Sequence, residues 1–285
     1  MKINRIRPDE SEYLQALTSI AKSPEALYYA GKLPSKRIPS VAIVGTRKPT
    51  AYGKEVTTRF AGELARKGVA IVSGLALGVD ALAHTATLEA GGTTIAVLGN
   101  GLPAVYPAAN HQLAKRILEN GGAILTEYEE GVDARSHQFL ERNRIVSGLA
   151  DAIIITEAAQ RSGTLNTAAH ALEQGKEVFV VPGNITSPMS LGCNALITQG
   201  ATPLMNSDQV LEIIAPDLLS GQASLFRSND PLQQKIIDLI NDGVRGGDEL
   251  QQKAKCSATD LSTALTMLEI NGAIRALGGN QWTIR

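Results

Sequence analysis

Arg161-Ser162-Gly163-Thr164 follows the apolar run Ala152-Ile153-Ile154-Ile155 and opens an alanine-rich helical pattern. A turn in that place gathers a guanidinium, two hydroxyls and the unpaired amides of a helix start, which together are a donor set for a phosphate. Arg47 is a second candidate, with Lys48 next to it. It comes straight after another apolar run through Gly45, whose missing side chain admits a ligand to the backbone. Its planar fork suits a phosphodiester; it reads equally well as a structural bridge between two loops. Phe139-Leu-Glu-Arg142-Asn143-Arg144 sets a ring beside two guanidiniums, a combination that stacks a base while holding its backbone. On that segment alone, a core Phe139 with its arginines paired to Glu141 is the better-supported reading.

Other chemistry finds less support. Asp80 and His84 are four apart on one helical face and could pair as base and orienter, or bind a metal with Glu127 or Glu157. A capping Asp and a hydrogen-bonded His are the better-supported explanation of the spacing, so no dyad is assigned. No Gly-x-Ser-x-Gly elbow, Gly-x-Gly-x-x-Gly fingerprint or Walker sequence occurs, which argues against an esterase-type nucleophile, a dinucleotide and ATP hydrolysis. Cys193 and Cys256 stand alone without zinc-ligand spacing. We expect no cofactor, no metal and no catalytic residue.

The chain has 285 residues and a net charge of -1, so no whole-molecule basic field points to a polyanion and any such site is local. One stretch, 36–67, carries eight basic residues against Glu55 and Glu63; four of them, Lys54, Arg59, Arg66 and Lys67, fit the solvated face of a helix. The charged N-terminus and the lack of any long apolar segment give the expectation of a cytoplasmic protein.

The elements that must position these residues are legible as alternation. Near-continuous apolar runs at Val41–Gly45, Val69–Gly74, Thr93–Gly99, Ala123–Glu127, Ala152–Glu157 and Glu177–Pro182 alternate with helical patterns. Such runs are parallel strands covered on both faces, so the fold class expected is α/β, a doubly wound, mostly parallel Rossmann-like sheet. Ligands bind outside the carboxyl ends of such strands, where this chain places Gly45-Thr46-Arg47, Ser73-Gly74-Leu75, Gly99-Asn100-Gly101, Glu127-Tyr128 and Glu157. Residues 1–40, broken by Pro24, Pro34 and Pro39, read as an arm packed on a sheet domain of 41–215. Residues 216–230 read as a linker, and 231–285, with three helical patterns and a closing hairpin, as a winged helix. Its third helix, 257–270, holds Asp260 and Glu269 but no Lys or Arg. Duplex binding rests on phosphate contacts, so a protein-interaction role is expected for this tail.

Taken together, Ala42-Ile-Val-Gly-Thr-Arg47, Ser73-Gly-Leu-Ala76, Gly78-Val-Asp80-Ala-Leu-Ala-His84, Tyr106-Pro107, Phe139 with Arg142-Asn143-Arg144-Ile145, Arg161-Ser-Gly-Thr164, Val181-Pro-Gly183 and Gly192-Cys-Asn-Ala-Leu-Ile197 resemble the DprA/Smf family of DNA-processing proteins over about residues 12–215. The resemblance implies a non-catalytic single-stranded-DNA-binding protein that protects incoming or damaged strands and loads the RecA recombinase in natural transformation and recombination. It implies an extended Rossmann-like domain, a homodimer, and a strand pocket of Arg47, Lys48, Gly74, Phe139, Arg142, Asn143, Arg144, Arg161, Ser162, Gly163 and Thr164. It also places self-association around Leu191, Leu196, Ile197 and Leu204, although those side chains read equally as core. Two departures stand out: Leu77 replaces an Arg frequent in the family, and the frequent N-terminal helix-hairpin-like domain has no counterpart here. The rivals are a nucleotide-processing hydrolase of a related fold, whose Pro-Gly-Gly-x-Gly-Thr-x-x-Glu pattern loses its Glu to Thr167 here, and a metal-dependent nuclease using Asp80, Glu127 and Glu157.

Overall fold

Runs that stay apolar at every position can only rest between two covering layers, and the six expected runs form the middle of one sheet. The computed structural model describes residues 2–220, 228 and 230–284. Its contacts divide the chain into units of 1–215 and 216–285. In chain order the first unit's strands are β1 (Asn4–Ile6), β2 (Leu27–Gly31), β3 (Ser40–Val44), β4 (Ala70–Ser73), β5 (Thr94–Leu98), β6 (Ala123–Thr126), β7 (Ala152–Ile155), β8 (Glu177–Val180) and β9 (Thr202–Pro203). Their order across the sheet is β1-β2-β6-β5-β4-β3-β7-β8-β9. All neighbours from β6 to β9 are parallel, and every residue of β3 to β7 is buried.

Seven helices belong to this unit: α1 (Ala51–Arg66), α2 (Val79–Glu89), α3 (His111–Glu119), α4 (Ser136–Leu149), α5 (Thr164–Glu173), α6 (Leu191–Thr198) and α7 (Asp208–Ile214). Alternate strand residues feed opposite layers, as the pleat requires. Val97 and Leu125 meet Ile145 and Leu149 of α4 in one cluster. Ala96, Leu98 and Ile124 meet Leu113 and Ile117 of α3 in another.

The first forty residues are more than an arm lying on the sheet, for they supply two of its strands. β2 runs antiparallel beside β6, Tyr29 opposite Leu125, and β1 runs antiparallel beside β2. Between these strands, Tyr13, Leu14 and Leu17 are fully buried in the α4 cluster. Arg37 locks the return to β3: it lies over the Tyr13 ring at 5.4 Å and meets Asp151 at 2.5 Å, while Asp151 accepts from the Ser40 amide at 2.8 Å.

The second unit has α8 (Asp217–Ser220), α9 (Pro231–Asn241), α10 (Gly247–Ala254), α11 (Ala258–Ile270) and the hairpin β10 (Ile274–Gly278) and β11 (Gln281–Ile284). Asp230 and Ser257 cap α9 and α11 by accepting amide hydrogens. Ile236, Ile240, Leu250, Leu265, Leu268 and Ile274 close its core. Three helices and a hairpin are the winged-helix order. Of the expected linker, 217–220 is helical, and 221–227 and 229 lie outside the described residues.

Candidate nucleic-acid interface

Strands β4, β5 and β6 are laid to one side of β3, and β7, β8 and β9 to the other, so the chain reverses its winding between β3 and β7. At such a switch point the two following loops diverge and leave a crevice at the carboxyl ends. The loop after β3 carries Arg47 and the loop after β7 carries Arg161 to Thr164. Between them lies a cavity of about 350 Å³, lined also by Phe139, Arg142, Asn143 and Thr167.

Arg47 and Arg161 stand exposed on opposite lips. The Arg47 loop is anchored where the Thr46 amide donates to Glu157 O at 2.8 Å and the Val79 amide to Thr46 O at 3.1 Å. That approach requires Gly78, whose φ is +81° and whose Cα faces the Thr46 and Arg47 carbonyls too closely for a side chain. On the other lip, Ser162 Oγ donates to Thr164 Oγ1 at 2.9 Å and accepts from the Thr164 amide at 3.2 Å. These are short-range bonds at the start of α5, and an anion placed there would compete for the same donors. The Arg47 guanidinium lies 5.9 Å from the centre of the Phe139 ring, and Tyr106 packs on Phe139 at 5.3 Å. Both rings, with Leu77, Pro107 and Gly74, line a narrower cleft of about 60 Å³ beside the cavity. A cation next to an aromatic pair beside an anion-binding turn is suited to one phosphate and a neighbouring flat ring.

The floor is built by two buried charged side chains. Arg142 is 5 % exposed and its guanidinium donates to Gly74 O at 2.7 Å and to Val97 O. Gly74 has no side chain because the guanidinium occupies that space. Asp80, 6 % exposed, accepts from the Gly74 and Ala76 amides at 3.1 and 3.3 Å. Asn110 adds a donor to Leu75 O at 2.8 Å. Three side chains thus hold the turn after β4, where Leu75 has the strained φ of +55°, and Leu77 is presented at the rim, half exposed. Burial pushes the Asp80 carboxyl above its usual range, against the pull of Arg142 and the two amides. His84 does not join Asp80. Its Nδ1 meets Thr94 Oγ1 at 2.6 Å, its Nε2 has no hydrogen-bond partner, and burial, helped by Arg142, lowers its pKa to about 3. A neutral, enclosed imidazole has no access to a ligand.

Of the residues expected at the site, the structure gathers Arg47, Phe139, Arg142, Asn143, Arg161, Ser162, Gly163 and Thr164 around one cavity, with Gly74 in the adjoining cleft. Four placements correct the expectation. Arg142 is a floor support rather than an exposed phosphate ligand, because it is buried and its Nη1 is engaged by two backbone carbonyls. Arg144 points away: it grips Glu127 with two bonds of 2.7 and 2.6 Å and donates through Nε to Lys22 O. The reason is helical phase, since residues two apart sit about 200° apart while 139, 142 and 143 share a face. Leu196 and Leu204 are buried at 9 % and 2 % exposure, so neither offers a surface; Leu191 is exposed and Ile197 half-buried. Lys48 lines a groove on the far side of Arg47 rather than the cavity. Leu77, the position that departs from the family's frequent Arg, lines the cleft, and Tyr106 joins it there without having been expected as a site residue. The signal for Tyr106 was a Tyr-Pro pair shortly after the carboxyl end of β5.

Fold and site define a class, a Rossmann-like sheet with a cavity and an aromatic cleft at its switch point, accompanied by a winged helix. The family model described as DNA recombination-mediator protein A matches residues 4–215, and that of the DprA winged helix domain matches 222–280. Protein Smf of Escherichia coli is 37% identical over 98% of this chain and 77% of its own length. DNA processing protein DprA of Bacillus subtilis is 39% identical over 74% of this chain and 71% of its own. Among solved structures, DprA from Streptococcus pneumoniae superposes with a TM-score of 0.69 at 37% identity, covering 75% of each chain. DNA processing protein A from Helicobacter pylori, a structure concerned with its single-stranded DNA binding mode, gives 0.66 at 33%, covering 76% of this chain and 97% of that one. The chain belongs to the DprA/Smf family.

Proposed function

We propose that the protein binds single-stranded DNA at the cavity between the β3 and β7 loops and acts as a recombination mediator, protecting the strand and loading RecA onto it in recombination or natural transformation. The observation that carries the reading is Arg47, exposed and stacked beside Phe139 and Tyr106, facing the Ser162–Thr164 turn across a cavity of about 350 Å³. A phosphate fits the turn and an unstacked base fits the rings, and a duplex offers its bases to neither. Supporting it, the family model is that of a recombination mediator and the Helicobacter pylori relative has a single-stranded DNA binding mode.

In this reading the protein performs no catalytic step. The three carboxylates a nuclease would use each have a separate structural partner: Asp80 the β4 turn, Glu127 the Arg144 fork, and Glu157 the Thr50 amide and hydroxyl at 2.8 and 2.7 Å. The protein works as a homodimer in the cytoplasm, and its winged-helix tail, with no basic residue on α11, serves a protein partner. Among the described residues no helix is long and apolar enough to cross a membrane.

The deciding measurement is a titration of the full chain with a fluorescent single strand and with a blunt duplex of equal length at equal salt. Tighter single-strand binding is expected; equal or better duplex affinity overturns the proposal. RecA loading is read separately, as faster RecA filament growth on strands already covered by single-strand-binding protein.

A further inference from the structure

Arg47 stands at the junction of three spaces: the anion cavity, the aromatic cleft, and an open groove of about 420 Å³ between the starts of α1 and α2. The groove has Lys48 and Lys54 on its rim and half-buried Ala81, Leu82 and Thr85 along its floor, and no acidic residue lines it. Both lysines are exposed, and neither side chain has a carboxylate partner among the described residues. Of the other cations of α1 and its end, Arg59 pairs with Glu63 and Lys67 with Asp208, while Arg66, at the far end of the helix, has no carboxylate partner among the described residues.

The position of Lys54 is unfavourable for the helix that carries it. It is the fourth residue of α1, whose first turn has no acidic side chain. A cation at a helix N-terminus meets the positive end of the macrodipole and the unpaired amides. The start of α1 is already answered by Glu157, which accepts from the Thr50 amide and hydroxyl, so what an anion held over the groove would meet is the paired attraction of Lys54 and Lys48.

We propose that this groove is a second phosphate-holding stretch for the same single strand, carrying its backbone out of the cavity, past Arg47 and Lys48, to Lys54. The inference rests on the proposed strand-binding function and adds a direction to it. The polar edge offers charge to phosphates, and the Ala81 and Leu82 floor offers apolar surface to sugars, without rings that would select a base. A strand confined to the cavity never reaches Lys54, and a longer one does.

The test uses the full chain and thymidine oligonucleotides of about 4 to 20 residues, titrated by fluorescence anisotropy at several salt concentrations. Replacing Lys54 by Gln should leave the shortest bound strands unaffected. For long strands it should flatten the slope of log affinity against log salt by about 0.7, lowering affinity about five-fold at 0.1 M salt relative to 1 M. Thr85→Lys, which adds a cation on the floor, should strengthen binding of long strands only. Arg47→Ala should weaken every length. If Lys54→Gln and Thr85→Lys both leave long strands at wild-type affinity and slope, or change all lengths alike, the groove is not part of the path. If the unaltered protein binds no single strand of any length, the proposed function itself fails, a separate result. Melting temperatures within a degree of wild type confirm that exposed residues were changed without unfolding.

Discussion

Replacing Arg142 by Met separates a support from a ligand. The side chain is about as long and keeps its apolar stem, but the buried Gly74 and Val97 carbonyls lose their donor and the Asp80 carboxylate loses its only nearby buried counter-charge. Each buried carbonyl left without its donor costs about 1–3 kcal/mol. Asp80 keeps its two amide donors, which places the expectation for the two carbonyls together toward the lower end, about 3 kcal/mol. For a unit of this size each kcal/mol lowers the melting temperature by about 2–4 °C, so the variant should melt about 6–12 °C lower. Asp80→Asn alone should also destabilise, by removing the negative charge that attracts the buried guanidinium. The double variant should be more stable than the sum of the two losses implies, with a coupling of about 1–3 kcal/mol. The assay is chemical denaturation of the four proteins at pH 7 with single-strand affinity measured in parallel. The reasoning is refuted if Arg142→Met melts within 2 °C of wild type while losing affinity as Arg47→Ala does. Arg142 would then be a free arm, and the turn after β4 would not depend on it.

Arg47→Ala removes an exposed side chain, so affinity for single strands should fall with the salt slope reduced by about 0.7 and melting nearly unchanged; a drop of many degrees would instead make Arg47 a structural bridge. His84 has a folded pKa of about 3 against 6.5 when exposed, so the unfolded chain takes up a proton that the fold refuses and stability is lost as pH falls from 6.5 toward 3. The stability difference between wild type and His84→Leu should therefore shift by about 2 kcal/mol against wild type between pH 7.5 and 5; a pH-independent difference counts against the buried neutral imidazole. Leu191→Glu should turn a dimer into a folded monomer by light scattering at micromolar protein, whereas Leu204→Glu should unfold the sheet's β9 edge. A wild-type monomer at every concentration, or a dimer that Leu191→Glu leaves intact, would remove Leu191 from the interface.

The middle of the sheet was readable because fully buried parallel strands have a one-letter signature, unbroken apolarity, and glycine or charge at their ends. The site's location followed from where those ends fall. β1 and β2 escaped notice for the opposite reason. No residue of β1 is buried and β2 buries only Leu27 and Ala30, so neither is an unbroken apolar run, and Leu27-Tyr-Tyr-Ala-Gly31 acquires meaning only from β6, nearly a hundred residues on. Arg144 shows a different limit, where a motif was read as a set of residue types without its helical phase. Leu196 and Leu204 show a third, since apolar residues near a sheet edge look the same whether they turn inward or outward until tertiary packing decides.

The pairing of β2 with β6 has a consequence for how the chain is made. Tyr28 faces Thr126 across the sheet, and β1 has no partner but β2. At a synthesis rate of about 5–20 residues per second, β6 follows β2 after roughly 5–20 seconds. During that interval the first thirty residues have no sheet to join, while β3, β4 and β5 can already pair with one another. The β1–β2 segment, though translated before the middle of the sheet, is therefore among the last of this unit to find its place, and Tyr13, Leu14 and Leu17, destined for full burial, await α4 for longer still. A nascent chain arrested just before β6 should show its N-terminal thirty residues open to protease, and one arrested after α4 should show them protected.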